Sequence, residues 1–114
     1  MRVLHVIARL NVGGTAMYIT QLAHELPKHG IDTFVATGFV QGDEVEDPSA
    51  SSIDVIRIPA LGRSINPIKD HLARKQLEKI VAQVKPDIIH THTFKAGYIT
   101  RMKKLAVPVV HTFH

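Results

Sequence analysis

The sequence predicts an α/β fold: a Rossmann-like, three-layer α/β/α domain with a mostly parallel sheet in strand order 3-2-1-4-5. Three observations predict it. Short apolar runs alternate with longer segments of helical period along all 114 residues. The first run, Val3-Leu4-His5-Val6-Ile7-Ala8, is continuous rather than alternating, as in a strand buried on both faces. A glycine pair, Gly13-Gly14, follows it and precedes a helical pattern. Strands that alternate with helices in this way build right-handed crossovers and a parallel sheet.

Each element has its own signal. After the first strand, Asn11-Val12-Gly13-Gly14 breaks the chain, and Thr15 offers a capping side chain. Ile19, Leu22, Ala23 and Leu26 then recur at helical spacing, and Gly30 closes the segment. Thr33-Phe34-Val35-Ala36-Thr37 reads as the second strand. Residues 38–52 carry Gly38, Gly42, Pro48 and a serine run, without a period, and are expected to form a mobile loop. Asp54-Val55-Ile56-Arg57-Ile58 is the third strand, ended by Pro59 and Gly62. Asn66-Pro67 opens a helix with a capping side chain and a proline at the first helical position. That helix runs to about Val84, with Ile68, Leu72, Ile80, Val81 and Val84 as its expected inner stripe. Lys85-Pro86-Asp87 punctuates, and Ile88-Ile89-His90-Thr91-His92 is the fourth strand. Phe94 to Leu105 reads as a helix with Tyr98, Ile99, Met102 and Leu105 inward. Pro108 to Phe113 is the fifth strand.

Composition narrows the classes of function. Hydrophobic residues make up 45% and charged residues 21%, the proportions of one globular domain rather than a disordered chain. Without cysteine there is no disulfide framework and no thiolate chemistry, which fits a reducing, cytoplasmic setting. No apolar stretch approaches the roughly 20 residues of a spanning helix. The net charge is +4, but the cations are interleaved with acids, and the one cluster of like sign is acidic, Asp43 to Asp47. The basic stripe of a nucleic-acid-binding protein is missing, so no nucleic-acid partner is expected.

In a doubly wound sheet the ligand sits at the carboxyl ends of the strands, here near the switch between strands 1 and 4. Gly13-Gly14 lies there. Paired glycines let a ligand approach the backbone N–H groups, and a helix N-terminus behind them favours negative charge. The spacing is not G-x-G-x-x-G, so the dinucleotide fingerprint fails. His90 and His92 project from one face of strand 4. Three roles stay open for them: metal ligands together with His111 and His114, loop-ordering hydrogen bonds, or contacts with substrate hydroxyls and phosphates. His5 lies mid-strand and reads as a core histidine with a satisfied partner. Neither a nucleophile elbow nor a P-loop occurs.

Three segments occur in order: Arg9-Leu10-Asn11-Val12-Gly13-Gly14-Thr15 after strand 1, Lys85-Pro86-Asp87-Ile88-Ile89-His90-Thr91-His92, and Val107-Pro108-Val109-Val110-His111-Thr112-Phe113-His114. Together they resemble the N-terminal domain of glycosyltransferase family 4, retaining enzymes with two facing Rossmann-like domains (the GT-B architecture). The resemblance implies that residues 1–114 are part of the N-terminal, acceptor-side domain, with the C-terminal nucleotide-binding domain absent. It implies transfer of a sugar from a nucleotide-diphosphate sugar to a hydroxyl acceptor with retention, without cofactor or metal. By the same resemblance Gly13 and Gly14 meet the donor's phosphates and sugar. Asn11, His92, Thr93, Phe94 and His111 line the acceptor side of the cleft, and His114 is the catalytic residue. The alternatives are a sugar-nucleotide epimerase of the same architecture and a non-catalytic α/β module that binds a ligand or partner. The chain alone is expected to be inactive, and the parent enzyme to be cytoplasmic or peripheral to the membrane. The exposed fifth strand is expected to pair with a second copy of the chain.

Overall fold

The computed structural model describes residues 1–42, 44–62, 66–102 and 104–112. Five strands and three helices alternate: β1 (Arg2–Ile7), α1 (Gly14–Glu25), β2 (Asp32–Thr37), β3 (Val55–Arg57), α2 (Pro67–Val84), β4 (Ile88–His92), α3 (Phe94–Arg101) and β5 (Val109–Thr112). The sheet order is β3-β2-β1-β4-β5, and every pairing is parallel. The fold read from the sequence is therefore the fold observed.

Alternation along β1 divides the core in two. Leu4, Val6 and Ala8 face α2 and α3, where they meet Ala73, Leu77, Ile80, Ala96 and Ile99. Ile7 faces the other way and packs with Leu10, Ala16 and Ile19 on the α1 side. A continuous apolar run suits a strand covered on both faces, because each side chain removes area from water whichever way it points.

Local chemistry sets the element ends. Asn66 caps α2 by accepting the Lys69 N–H at 3.1 Å, with Pro67 at the first helical position. Gly30 is left-handed (φ 78°) and closes a short 3-10 turn over Leu26–His29. Residues 38–52 are not wholly irregular. Pro48–Ser52 forms a second 3-10 turn, capped by the Asp47 side chain, which accepts from Ser49 N. Thr15 does not cap α1. The capping position is Gly13, and no side chain bonds the helix end.

The helix faces depart from the expected stripes. In α2, Ile68 is 83% exposed and Leu72 is also exposed, whereas Asp70 and Arg74 are buried beside Ala73 and Leu77. In α3, Tyr98 and Met102 are exposed, Ile99 and Thr100 are buried, and the helix ends at Arg101, short of Leu105. The cause is a polar seam between the two helices. Lys95 pairs with Asp70 at 2.6 Å, and the Arg74 guanidinium donates to the Ile99 and Thr100 carbonyls. Buried charge that is paired in this way takes positions that apolar residues would otherwise hold.

Candidate functional site

All five strands run the same way, so their carboxyl ends share one edge of the sheet. β1 leads to α1 on one face, and β4 leads to α3 on the other. In such sheets, connections that diverge in this way leave a crevice between them, the usual ligand position. Its walls are the glycine turn, residues 11–14, and the β4–α3 junction at Thr93.

Gly13 has φ 151° and ψ 178°, a conformation that side chains other than glycine rarely adopt. Gly14 has no such constraint. A Cβ added at either glycine would meet no atom within 4 Å. The chain's own packing thus gives no reason for glycine at position 14. The open space leaves another molecule free to approach the backbone at the positive end of α1.

A strap from the β2–β3 connection lies against this turn. Asn11, which is exposed, forms an antiparallel bridge with Glu46. Val12 N–H donates to Val45 O, and Asp47 N–H to Leu10 O, both at 2.7 Å. Two glutamates of the strap are tied to arginines. Glu44 pairs with Arg9 and Glu46 with Arg57, each at 2.8 Å, and Arg57 also lies 4.7 Å from the centre of the Phe39 ring. The Ser49 hydroxyl, then the Ser49 and Gly13 backbone N–H groups, hold the Asp47 carboxyl below the usual carboxylate range against a smaller opposing effect of burial. Asp47 thus places a carboxylate beside the glycine turn. Sequence reasoning did not single out Arg9, Arg57 or Asp47. The one available signal was the acidic cluster itself, which required cations nearby.

On the opposite wall, Thr93 has φ 70° and ψ 157°, an uncommon region for a β-branched residue, and its buried Oγ1 has no hydrogen-bond partner among the described residues. Strain of this kind, of order 1–3 kcal/mol, concentrates at ligand sites. Phe94 is 67% exposed and stacks on Tyr98 with ring centres 6.1 Å apart.

Below the crevice, three histidines meet on the α1 face of the sheet. His5 and His90 are cross-strand partners, and His92 follows two residues later on the same face. His5 Nδ1 and His92 Nε2 lie 3.1 Å apart, and the His90 and His92 ring centres 4.0 Å apart. The edge of Tyr18 faces the His92 ring. His90 Nε2 is hydrogen-bonded to Thr112 Oγ1. Burial, then the neighbouring His90, pushes the His5 imidazole down from 6.5 to about 4. His5 is the core histidine expected, but it is only half satisfied, because its Nε2 has no partner among the described residues. His92 is fully buried in this structure.

His111 is not brought to this group. It projects to the α3 face, where Nδ1 lies 2.6 Å from Thr91 Oγ1 and the ring packs against Gly97. A Cβ at Gly97 would stand 2.8 Å from His111 Cε1, so that glycine makes room for the ring. A metal set of His90 and His92 with His111 is therefore excluded by the sheet. His114, the expected catalytic residue, lies outside the described residues.

A doubly wound parallel sheet with a glycine turn at its switch point defines a Rossmann-like domain. Residues 12–114 match the sequence profile of Glycosyltransferase Family 4, and the chain belongs to that family. A curated relative from Escherichia coli, UDP-Gal:alpha-D-GlcNAc-diphosphoundecaprenol alpha-1,3-galactosyltransferase, is 39% identical over 66 residues, which are 55% of this chain and 17% of the relative. Among solved structures, UDP-GlcNAc 2-epimerase from Neisseria meningitidis superimposes with a TM-score of 0.69 at 23% identity, over 97% of this chain and 31% of that one. A glycosyltransferase from Rickettsia africae gives 0.68 at 22% identity, over 99% of this chain and 29% of that one. The chain thus spans under a fifth of the curated relative and about a third of the structures. At these identities the structures speak for the fold alone. Among the described residues no helix is long and apolar enough to cross a membrane.

Proposed function

We propose that this chain forms the acceptor-side domain of a glycosyltransferase that moves a sugar from a nucleotide-diphosphate sugar to a hydroxyl acceptor with retention. The observation that carries this is Gly14. It sits at the switch point, needs no glycine for its own backbone, and faces open space at the positive end of α1. A diphosphate is the ligand chemistry that such a turn suits. The donor to test first is a UDP-hexose, since the Escherichia coli relative is named for UDP-Gal. Binding and charge stabilisation in the closed cleft supply the rate, as leaving-group charge develops on the phosphate. The wall formed by Asn11, Thr93 and Phe94 takes the acceptor, and His114 acts at the reacting sugar.

The matched structures are about three times as long as this chain, so we expect the remaining nucleotide contacts to come from residues beyond these 114. These residues alone then bind a sugar nucleotide weakly, because one anion site cannot replace the lost contacts. The test is to incubate the complete protein with radiolabelled UDP-hexoses, with and without hydroxyl acceptors, and to assign the product's anomeric configuration by NMR. Labelled acceptor of retained configuration is the expected result. Epimerised donor without transfer, or inverted product, overturns the proposal. His114→Ala is expected to lower turnover far more than it raises KM. Near-normal turnover with reduced thermal stability would instead make His114 a loop-ordering residue.

A further inference from the structure

The three histidines have an arrangement to which the proposed transfer assigns no role. One nitrogen from each of His5, His90 and His92 lies within 4.8 Å of the others. The rings come from two adjacent parallel strands, so the sheet ladder fixes their spacing rather than a loop. His5 is 1% exposed and His92 fully buried. A cavity of about 290 Å³, lined by His5, Tyr18, Leu22, His90 and Val110 among others, opens beside the cluster.

We propose that His5, His90 and His92 bind a divalent transition-metal ion of borderline softness, Zn²⁺ being the representative case. Three imidazoles suit Zn²⁺, Ni²⁺ or Cu²⁺ and do not suit Mg²⁺ or Ca²⁺, which take oxygen ligands. Zinc–nitrogen bonds of about 2.0–2.1 Å in a tetrahedron place two ligand nitrogens about 3.3 Å apart. His5 Nδ1 and His92 Nε2 already stand at 3.1 Å. The other separations are at most 4.8 Å, about 1.5 Å wider than the tetrahedral value, so the rings draw together on the ion. Thr112, bonded to His90 Nε2, holds that ring as outer partners hold ligating imidazoles, and His90 then presents Nδ1.

Three neutral ligands leave the ion's charge uncompensated. The fourth ligand is therefore an anion or a polarised water, and the cavity gives it access. A set of three protein ligands with one open position is the pattern of a site that exchanges its fourth ligand, rather than of a closed structural site. This departs from the metal-free chemistry implied by the family resemblance, and it stands whether or not the chain transfers sugar.

The test uses the untagged 114-residue chain, stripped with chelator, loaded with Zn²⁺, dialysed, and assayed for metal per chain. Co²⁺ loading gives a visible spectrum that reports tetrahedral coordination. One equivalent of Zn²⁺ is expected, with affinity reduced at least tenfold in H90Q and in H5N. Variants H24Q and H29Q, which alter exposed histidines, are expected to keep the affinity of the parent chain. Circular dichroism identifies any variant that fails to fold, and H92Q then serves as the second probe of the cluster. Zinc that does not survive dialysis on a folded chain overturns the proposal. So does retention by H90Q, H5N and H92Q alike, or loss in H24Q or H29Q, which would place the metal on the surface.

Discussion

The ion pair between Lys95 and Asp70 offers the sharpest test of how α3 is held at the crevice. Its atoms are 2.6 Å apart, and the side chains are 6% and 1% exposed. Asp70 also accepts the Asn66 N–H at 3.1 Å, so one carboxylate joins the α2 cap to the first turn of α3. Lys95→Met removes the cation, keeps most of the side-chain volume, and leaves the carboxylate buried with only a backbone donor. Breaking one partner of a buried pair costs about 3–5 kcal/mol. A chain of this size has roughly 5–15 kcal/mol in total, so the variant should lose a large share of its stability. At about 4 °C per kcal/mol, Tm should fall by on the order of 10–20 °C. Asp70→Leu should cost about as much, because it strands the ammonium. The double variant should recover most of either loss, since two apolar groups of similar volume leave no charge unpaired. Urea unfolding of the four proteins closes the cycle and gives the coupling energy directly. If Lys95→Met costs under about 1 kcal/mol, or if the two single losses simply add, the pair is solvent-screened and does not hold α3.

Other consequences can be measured on the same chain. His5 has a folded pKa of about 4 against 6.5, so the unfolded chain binds more protons between those values. Its neutral form in the metal-free protein contributes stability above pH 6.5, and this is lost as pH falls toward 4. The contribution is about 3 kcal/mol for a shift of this size. Urea melts from pH 7.5 to 4 should show this slope and H5N should flatten it; parallel curves would refute the assignment. The two glycines of the turn should separate cleanly. Gly13→Ala should lose about 1–3 kcal/mol to its φ of 151°. Gly14→Ala should unfold as the parent does yet weaken donor binding by the complete protein; unchanged binding would count against the proposed phosphate site. Among the described residues the edge strand β5 pairs only with β4, and Val110 on it is half exposed. Light scattering over a concentration series should therefore show the chain forming dimers, which Val110→Lys should disperse. A mass that stays monomeric at high micromolar concentration would show that the edge is adequately protected.

The fold was legible because strands and helices wrote their periods plainly. The continuous run Val3–Ala8, the Asn66-Pro67 opening and the Gly30 stop all act locally, and each produced the element it signals. The helix faces were less legible. A stripe read from apolar residues alone placed Ile68 and Leu72 inward, but Asp70, Arg74 and Lys95 hold those positions by pairing across two helices. No single-segment period contains that information, because the partner that makes a buried charge tolerable lies on another element.

The site divides in the same way. Gly13-Gly14 could be placed at the switch point from chain order alone, and its backbone geometry depends on nothing distant. The histidine cluster depends on register. Period two puts His90 and His92 on one face of β4, yet the third member, His5, is 85 residues before His90. Sheet order makes β1 and β4 neighbours, and the ladder then sets His5 opposite His90. The same ladder removes His111. In parallel strands, register partners project to the same face; Val110 pairs with His90, so His111 pairs with Thr91 and turns away. One residue of register thus decides which histidines can act together. Once the order 3-2-1-4-5 is known, the spacing in the sequence narrows the cluster to a short set of registers. The signal that would have selected among them is the burial of His5. A histidine placed inside an otherwise apolar strand needs a polar partner, and among residues on the same face of the adjoining strand, His90 and His92 supply it.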